Sequence, residues 1–249
     1  MNNYEGKRIL FMGDSITELG DGPRGWVKYF NEIVKPAHYV NVAVSGATWS
    51  DKVANTVYDG DPIFEGRGGD ANLNVLGNQV EKVRRGFAVG DADYAAFDYI
   101  FIAAGTNGGC GPSVEWAIED IPNHFMLPDG TPLPPEQVDR TLWPGAMRYA
   151  YEHLRAMYPE ATIFFCAPVQ GAEESRPYTR IEGRGRLMKA ICDRISDVVF
   201  VNTFNCGICG IYEKAQTNGR DLLDGLHPNK NGAKKIGEYN ARALKWHTL

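Results

Sequence analysis

No apolar run in the sequence approaches the roughly 18 to 20 residues that a membrane-spanning helix needs, so no such segment is expected. Positive charge is also in short supply. The formal net charge is −5, and the pairs Arg84-Arg85 and Lys234-Lys235 are too short to form a basic patch, so nucleic acid is not an expected partner. The five cysteines (Cys110, Cys166, Cys192, Cys206 and Cys209) are an odd set in a long chain, which argues for reduced thiols over a disulfide scaffold. Cys206 and Cys209 have the spacing of a redox or metal pair. No second Cys/His pair lies near them to complete a four-ligand zinc site, and they read as ordinary thiols in a glycine-containing loop. There is no Pro/Ser-rich linker, internal repeat or low-complexity stretch, so one domain over residues 1–249 is expected. Met1 to Lys7 is polar and does not read as a secretory signal. The expected compartment is cytoplasmic, or secreted or periplasmic where a longer precursor carries a cleaved signal.

Hydrophobic residues make up 43% of the chain, enough for a substantial core. They gather in five short runs: Arg8 to Met12, Tyr39 to Val44, Tyr99 to Ala104, Thr162 to Cys166, and Val198 to Asn202. Each run is nearly continuous and rich in β-branched or aromatic residues, as strands buried on both faces of a parallel sheet are. Helix-like stretches lie between and after them, at Trp26 to Val34, Asn78 to Phe87, Pro144 to Met157, Arg184 to Ile195 and Asn231 to Trp246. This alternation predicts an α/β fold around a five-stranded parallel sheet flanked by helices. Two long irregular regions, near 49–74 and 108–143, interrupt it and are candidate binding or lid elements.

Open α/β sheets bind ligands at the carboxyl ends of their strands, so the residues after each run matter most. The first run is followed by Gly13, Asp14 and Ser15; the second by Ser45 and Gly46; the third by Gly105, Thr106 and Asn107. The fifth leads on to Asp224, Gly225, Leu226 and His227 ahead of the last helix. These are the parts of a nucleophilic acyl-transfer site. Ser15 offers a hydroxyl that needs a base. His227 is a residue type that exchanges protons near neutral pH. Asp224, three residues earlier, is placed to hold the imidazole's tautomer. The Ser15 and Gly46 N–H groups and the Asn107 amide are candidate oxyanion-hole donors. Asp14 reads as structural.

Gly-Asp-Ser after strand one, Gly after strand two, Gly-x-Asn after strand three and Asp-x-x-His before the last helix resemble, in order, the blocks of the SGNH (GDSL-type) hydrolases. Asn78, Gln79 and Val80 ahead of strand three also resemble that family. The likeness runs from Gly13 to His227. It implies a flavodoxin-like three-layer sandwich and ester hydrolysis without metal or cofactor. It also implies Ser15, Asp224 and His227 as the catalytic triad and Ser15, Gly46 and Asn107 as the oxyanion hole. One departure stands out: the third block often continues with Asp, but here Gly108 follows Asn107, which leaves open what braces that loop.

Rival motifs fail on position. Gly20, Gly22 and Gly25 fit G-x-G-x-x-G, but they start well after the first strand, and no acidic residue ends the second, as a dinucleotide site requires. The nucleophile elbow G-x-S-x-G is absent. The expected activity is serine esterase action on small-molecule or glycan esters, with deacetylation of a carbohydrate favoured because the inserted regions are polar and glycine-rich. The alternatives are a lysophospholipase or thioesterase of the same family, or a non-catalytic carbohydrate-binding protein. Trp49, Trp116 and Trp143 fall near the expected mouth, where stacking on a sugar and packing in the core are both open.

Overall fold

The computed structural model describes residues 4–51, 75–108, 118–195 and 197–248. Cys110, Trp116 and most of the first inserted region lie outside them. Strands β1 (Arg8–Gly13), β2 (His38–Asn41), β3 (Tyr99–Ala103), β4 (Thr162–Cys166) and β5 (Val198–Val201) form one all-parallel sheet in the order β2-β1-β3-β4-β5. The chain moves outward from β1 to β2, then crosses back over β1 to β3. The carboxyl ends of β1 and β3 therefore flank the point where the strand order reverses, the usual ligand crevice of this architecture.

Alternation along each strand supplies both faces. Leu10, Met12, Ile100, Ile102, Ile163 and Phe165 enter one core, together with residues of α3 (Leu76–Ala88), α4 (Trp143–Met157) and α5 (Tyr178–Cys192). Ile9, Phe11, Tyr99, Phe101, Phe164 and Cys166 enter the other, with α2 (Trp26–Val34) and α6 (Lys230–His247). Because both faces are covered, every strand residue is under pressure to be apolar, which explains the near-continuous runs. The result is the expected three-layer α/β sandwich. In the second core the Phe101 and Phe164 rings stack at 4.4 Å, and Phe11 meets Trp26 edge-on at 5.3 Å. Gly237 lets α6 press onto α2; a Cβ there would lie 2.6 Å from the Trp26 carbonyl oxygen.

Element boundaries differ most from the sequence pattern at β2 and α5. Regular β2 ends at Asn41, three residues early, although the Val42 and Val44 N–H groups still donate to the Phe11 and Gly13 carbonyls. Helix α5 runs from Tyr178 to Cys192, starting six residues early and ending three short of Ile195. Tyr178, Thr179 and Arg180 are exposed, and buried Ile181 is the one residue of that turn facing the core, too little to mark a helix by apolar spacing. Among the described residues no helix is long and apolar enough to cross a membrane.

Trp49 and Trp143 are fully buried, which decides the question their positions raised: both are core residues and neither is available to stack on a sugar. Trp49 meets Phe165 edge-on at 5.2 Å. The described parts of the two inserted regions are joined beside them. Arg140 Nη2 lies 2.7 Å from Asp51 Oδ2, the Asp51 N–H donates to the Arg140 carbonyl, and the Arg140 guanidinium sits 4.5 Å above the Tyr149 ring. Burial pushes the Asp51 carboxyl up to about 6 against the pull of Arg140. Trp143→Ala is expected to cost about 3–5 kcal/mol by emptying a packed site. Urea unfolding measures this, and a loss under about 1 kcal/mol would show that Trp143 is not a packing element.

Candidate active site

Gly13, the last residue of β1, presses directly against β3. A Cβ there would lie 2.1 Å from the Ala103 carbonyl oxygen, and its φ of +151° suits glycine. Gln79, wholly buried on α3, clasps the Gly13 peptide from both sides: its Oε1 accepts the Gly13 N–H at 2.9 Å and its Nε2 donates to the Gly13 carbonyl at 2.7 Å. The chain then turns into the single-turn helix α1 (Ser15–Glu18). Asp14 is its N-cap, with Oδ1 accepting the Ile16 N–H at 3.1 Å. Ser15 thus stands at the sheet's carboxyl edge on a short helix pinned at its start.

His227 reaches the same edge from the loop before α6. Its fold comes from Asp224, whose Oδ1 accepts the Leu226 and His227 N–H groups at 3.0 and 2.7 Å. The loop is anchored further out by Glu213, whose carboxylate accepts the Asp221 and Leu222 N–H groups, and by Lys235, which pairs with buried Asp221 at 2.6 Å. Asn229 caps α6, accepting from Asn231 and Gly232.

These two ends meet. His227 Nε2 lies 2.9 Å from Ser15 Oγ, and His227 Nδ1 lies 2.9 Å from Asp224 Oδ2. Three residues far apart in sequence form one hydrogen-bonded chain, with Ser15, Asp224 and His227 all half-buried. Burial raises the Asp224 carboxyl's pKa, but the hydrogen bonds from the His227 side chain and from the two backbone N–H groups outweigh it and hold the carboxyl below its ordinary range. Asp224 therefore stays an acceptor for the imidazole Nδ1–H, which leaves Nε2 to take a proton from Ser15.

The candidate oxyanion donors lie just after β1, β2 and β3, at the carboxyl ends of three neighbouring strands. The Ser15 and Gly46 N–H groups donate to nothing among the described residues. Asn107, in the turn after β3, is tied by its amide Nδ2 to the carbonyl of Ala47, next to Gly46, at 3.2 Å. The brace that the missing carboxylate left open comes from α5. Buried Arg184 donates through Nη1 to the Gly105 and Thr106 carbonyls at 3.1 and 2.6 Å, and through Nη2 to the Gly108 carbonyl. The motif reading did not reach Arg176, Arg184 or Glu213, and assigned Gln79 no role. Gln79, Arg176 and Arg184 act across more than sixty residues of chain, and Glu213 holds a loop eight and nine residues on, neither of which motif spacing reveals.

Among the described residues no cluster of three or more His, Cys, Asp or Glu side chains is arranged to hold a metal ion. Cys166, Cys192, Cys206 and Cys209 are free thiols, and burial pushes the Cys206 thiol up to about 11, which disfavours the thiolate that metal or redox chemistry needs.

Burial pushes the Asp14 carboxyl up to about 6, although hydrogen bonds from Ile16 and Thr106 and the nearby His227 pull it down. The folded state therefore holds this proton more tightly than the unfolded chain. Ionising Asp14 costs stability as pH rises from about 4 to about 6, and the full cost, at most ~3 kcal/mol, is present above that. Asp14→Asn removes the charge and keeps the Oδ1 cap. Between pH 4 and pH 8 the stability difference is expected to move toward the variant, as read by thermal unfolding across that range. A difference that does not change with pH would refute the assignment.

A family model for GDSL-like lipases and acylhydrolases matches residues 11–235. Comparison with curated proteins finds no match. Among solved structures, a possible lipase from Chitinophaga pinensis superposes with a TM-score of 0.61 at 17% identity, over 97% of this chain and 98% of that one. Est24, a carbohydrate acetylesterase from Sinorhizobium meliloti, does so at 0.55 and 16%, over 96% and 98%. A catalytic mutant of Axe2, an acetylxylan esterase from Geobacillus stearothermophilus, does so at 0.52 and 17%, over 98% and 96%. At these identities the superpositions speak for the fold, and the family match carries the assignment that the sequence blocks anticipated. The chain belongs to the GDSL-like lipase/acylhydrolase family.

Proposed function

We propose that the protein is a serine esterase that removes short acyl groups, chiefly acetyl, from a carbohydrate. The observation that carries this reading is the unbroken Ser15–His227–Asp224 hydrogen-bond chain, with both links at 2.9 Å. Ser15 Oγ attacks the ester carbonyl as its proton passes to His227 Nε2. The negative charge that develops on the carbonyl oxygen rests on the Ser15 and Gly46 N–H groups and the Asn107 amide. Collapse of the tetrahedral intermediate breaks the bond to the alcohol, which leaves with the proton from His227. Water then attacks the acyl-serine with His227 again as base. The carboxylic acid departs and Ser15 regains its proton. A purely carbohydrate-binding protein has no need of such a base.

The preference for acetyl rests on the absence of a long apolar stretch near the site blocks and on the polar, glycine-rich inserted regions. Two of the structural neighbours are named as esterases of acetylated carbohydrates, which favours the same substrate class. The test is hydrolysis of p-nitrophenyl esters from acetate to octanoate by the wild type and by Ser15→Ala. Rates highest on acetate and abolished in the variant are expected. Rates that rise with chain length would move the substrate to a lysophospholipid or thioester-like class, and no rate above Ser15→Ala on any ester would refute the esterase. Asn107→Ala is expected to lower turnover by about 10²–10³-fold, the usual cost of one oxyanion donor; unchanged turnover would remove Asn107 from the mechanism.

A further inference from the structure

The side-chain amide of Asn107 has two nearly isosteric ends, and only one of them helps an oxyanion. With Nδ2 toward the reacting oxygen the amide is a donor; turned by 180° it presents Oδ1 and repels the same charge. Two contacts decide the orientation. Nδ2 donates to the Ala47 carbonyl at 3.2 Å, which leaves one N–H for a ligand, and Oδ1 accepts from Arg176 Nη2 at 3.2 Å. Each is at the long end of the hydrogen-bond range, so neither alone holds the amide firmly.

Arg176 is itself held in place. Its Nη1 pairs with the Glu173 carboxylate, and its backbone N–H donates to the Glu173 carbonyl at 3.0 Å. The segment that carries both is fastened to the histidine loop, because the Ala172 N–H donates to the Gly225 carbonyl at 2.7 Å. Arg180, in the first turn of α5, donates to the Ser175 carbonyl at 2.7 Å and steadies the turn from the other side.

We propose that Arg176 is a positioning residue that orients and polarises the Asn107 amide, joining the oxyanion loop to the loop that carries Asp224 and His227. The inference rests on the esterase reading above. A cation at Oδ1 favours the charge-separated resonance form of the amide, makes the remaining Nδ2–H a stronger donor and penalises the flipped rotamer. The effect belongs to the transition state, where the carbonyl oxygen gains charge, so it falls on kcat. The Ala47 contact persists without Arg176, so the loss is smaller than that of deleting Asn107.

The test is a double-mutant cycle on p-nitrophenyl acetate with the full chain, using Arg176→Met, Asn107→Ala and both together. Arg176→Met is expected to lower kcat by about 10-fold with KM within about threefold, and Arg176→Lys to restore part of the loss. In the Asn107→Ala background Arg176→Met is expected to cost nothing further, because the group it acts on is gone. An equal cost in both backgrounds would overturn the proposal, since Arg176 would then act on the substrate or on the loop as a whole. No cost in the wild-type background would overturn it too. Should Arg176→Met not fold, Glu173→Gln loosens Arg176 and enters the same cycle with the same criterion. An Asn107→Ala enzyme as fast as wild type would instead sink the oxyanion-hole reading itself, so the two failures are told apart.

Discussion

The contact between the end of β1 and the end of β3 governs the geometry of everything around it. Gly13 lies so close to the Ala103 carbonyl that no side chain fits between them, and buried Gln79 grips the same peptide from α3. This closeness brings Ser15, two residues after Gly13, and Asn107, four residues after Ala103, to one side of the strand-order reversal. A larger residue at Gly13 would push the strands apart and shift Ser15 relative to the turn after β3. The approach of the β1 and β3 ends thus rests on one steric fit.

Two carboxylates near that point have opposite surroundings and opposite tasks. Asp224 is partly open and accepts three hydrogen bonds within its own loop, which keep it charged against burial. Asp14, fully buried beside Ser15, is pushed up by desolvation and serves as a helix cap. The difference follows from what each oxygen touches. It explains why the aspartate next to the serine in sequence is structural, while the one more than two hundred residues away contacts the histidine.

The turn after β3 lacks the carboxylate that often follows its asparagine in this family, and arginines from the β4–α5 side do the holding. Arg184 gathers the carbonyls of Gly105, Thr106 and Gly108, and Arg176 donates to the Asn107 side-chain oxygen. Because a guanidinium offers several donors in a rigid plane, one arginine can fasten several carbonyls that would otherwise be free to shift. The loop is braced by donors to its carbonyl oxygens, through contacts that cross more than sixty residues of chain.

The sequence by itself determined the layers, the parallel sheet and the blocks at its carboxyl edge. A strand covered on both faces must be apolar throughout, and a serine, an asparagine and an Asp-x-x-His segment after such strands have few other uses. The family was legible for the same reason. Only the tertiary structure decided that Trp49 and Trp143 fill the core, where α5 starts, and that Ser15, His227 and Asp224 stand at hydrogen-bonding distance. It alone also identified Gln79, Arg176 and Arg184 as the groups that hold the site. The physical reason is range. Apolar periodicity and turn chemistry act over a few residues and leave a mark in the local sequence. A hydrogen bond between distant segments depends on where the whole fold places them, and a lone arginine or glutamine in the chain bears no sign of the partner it will meet.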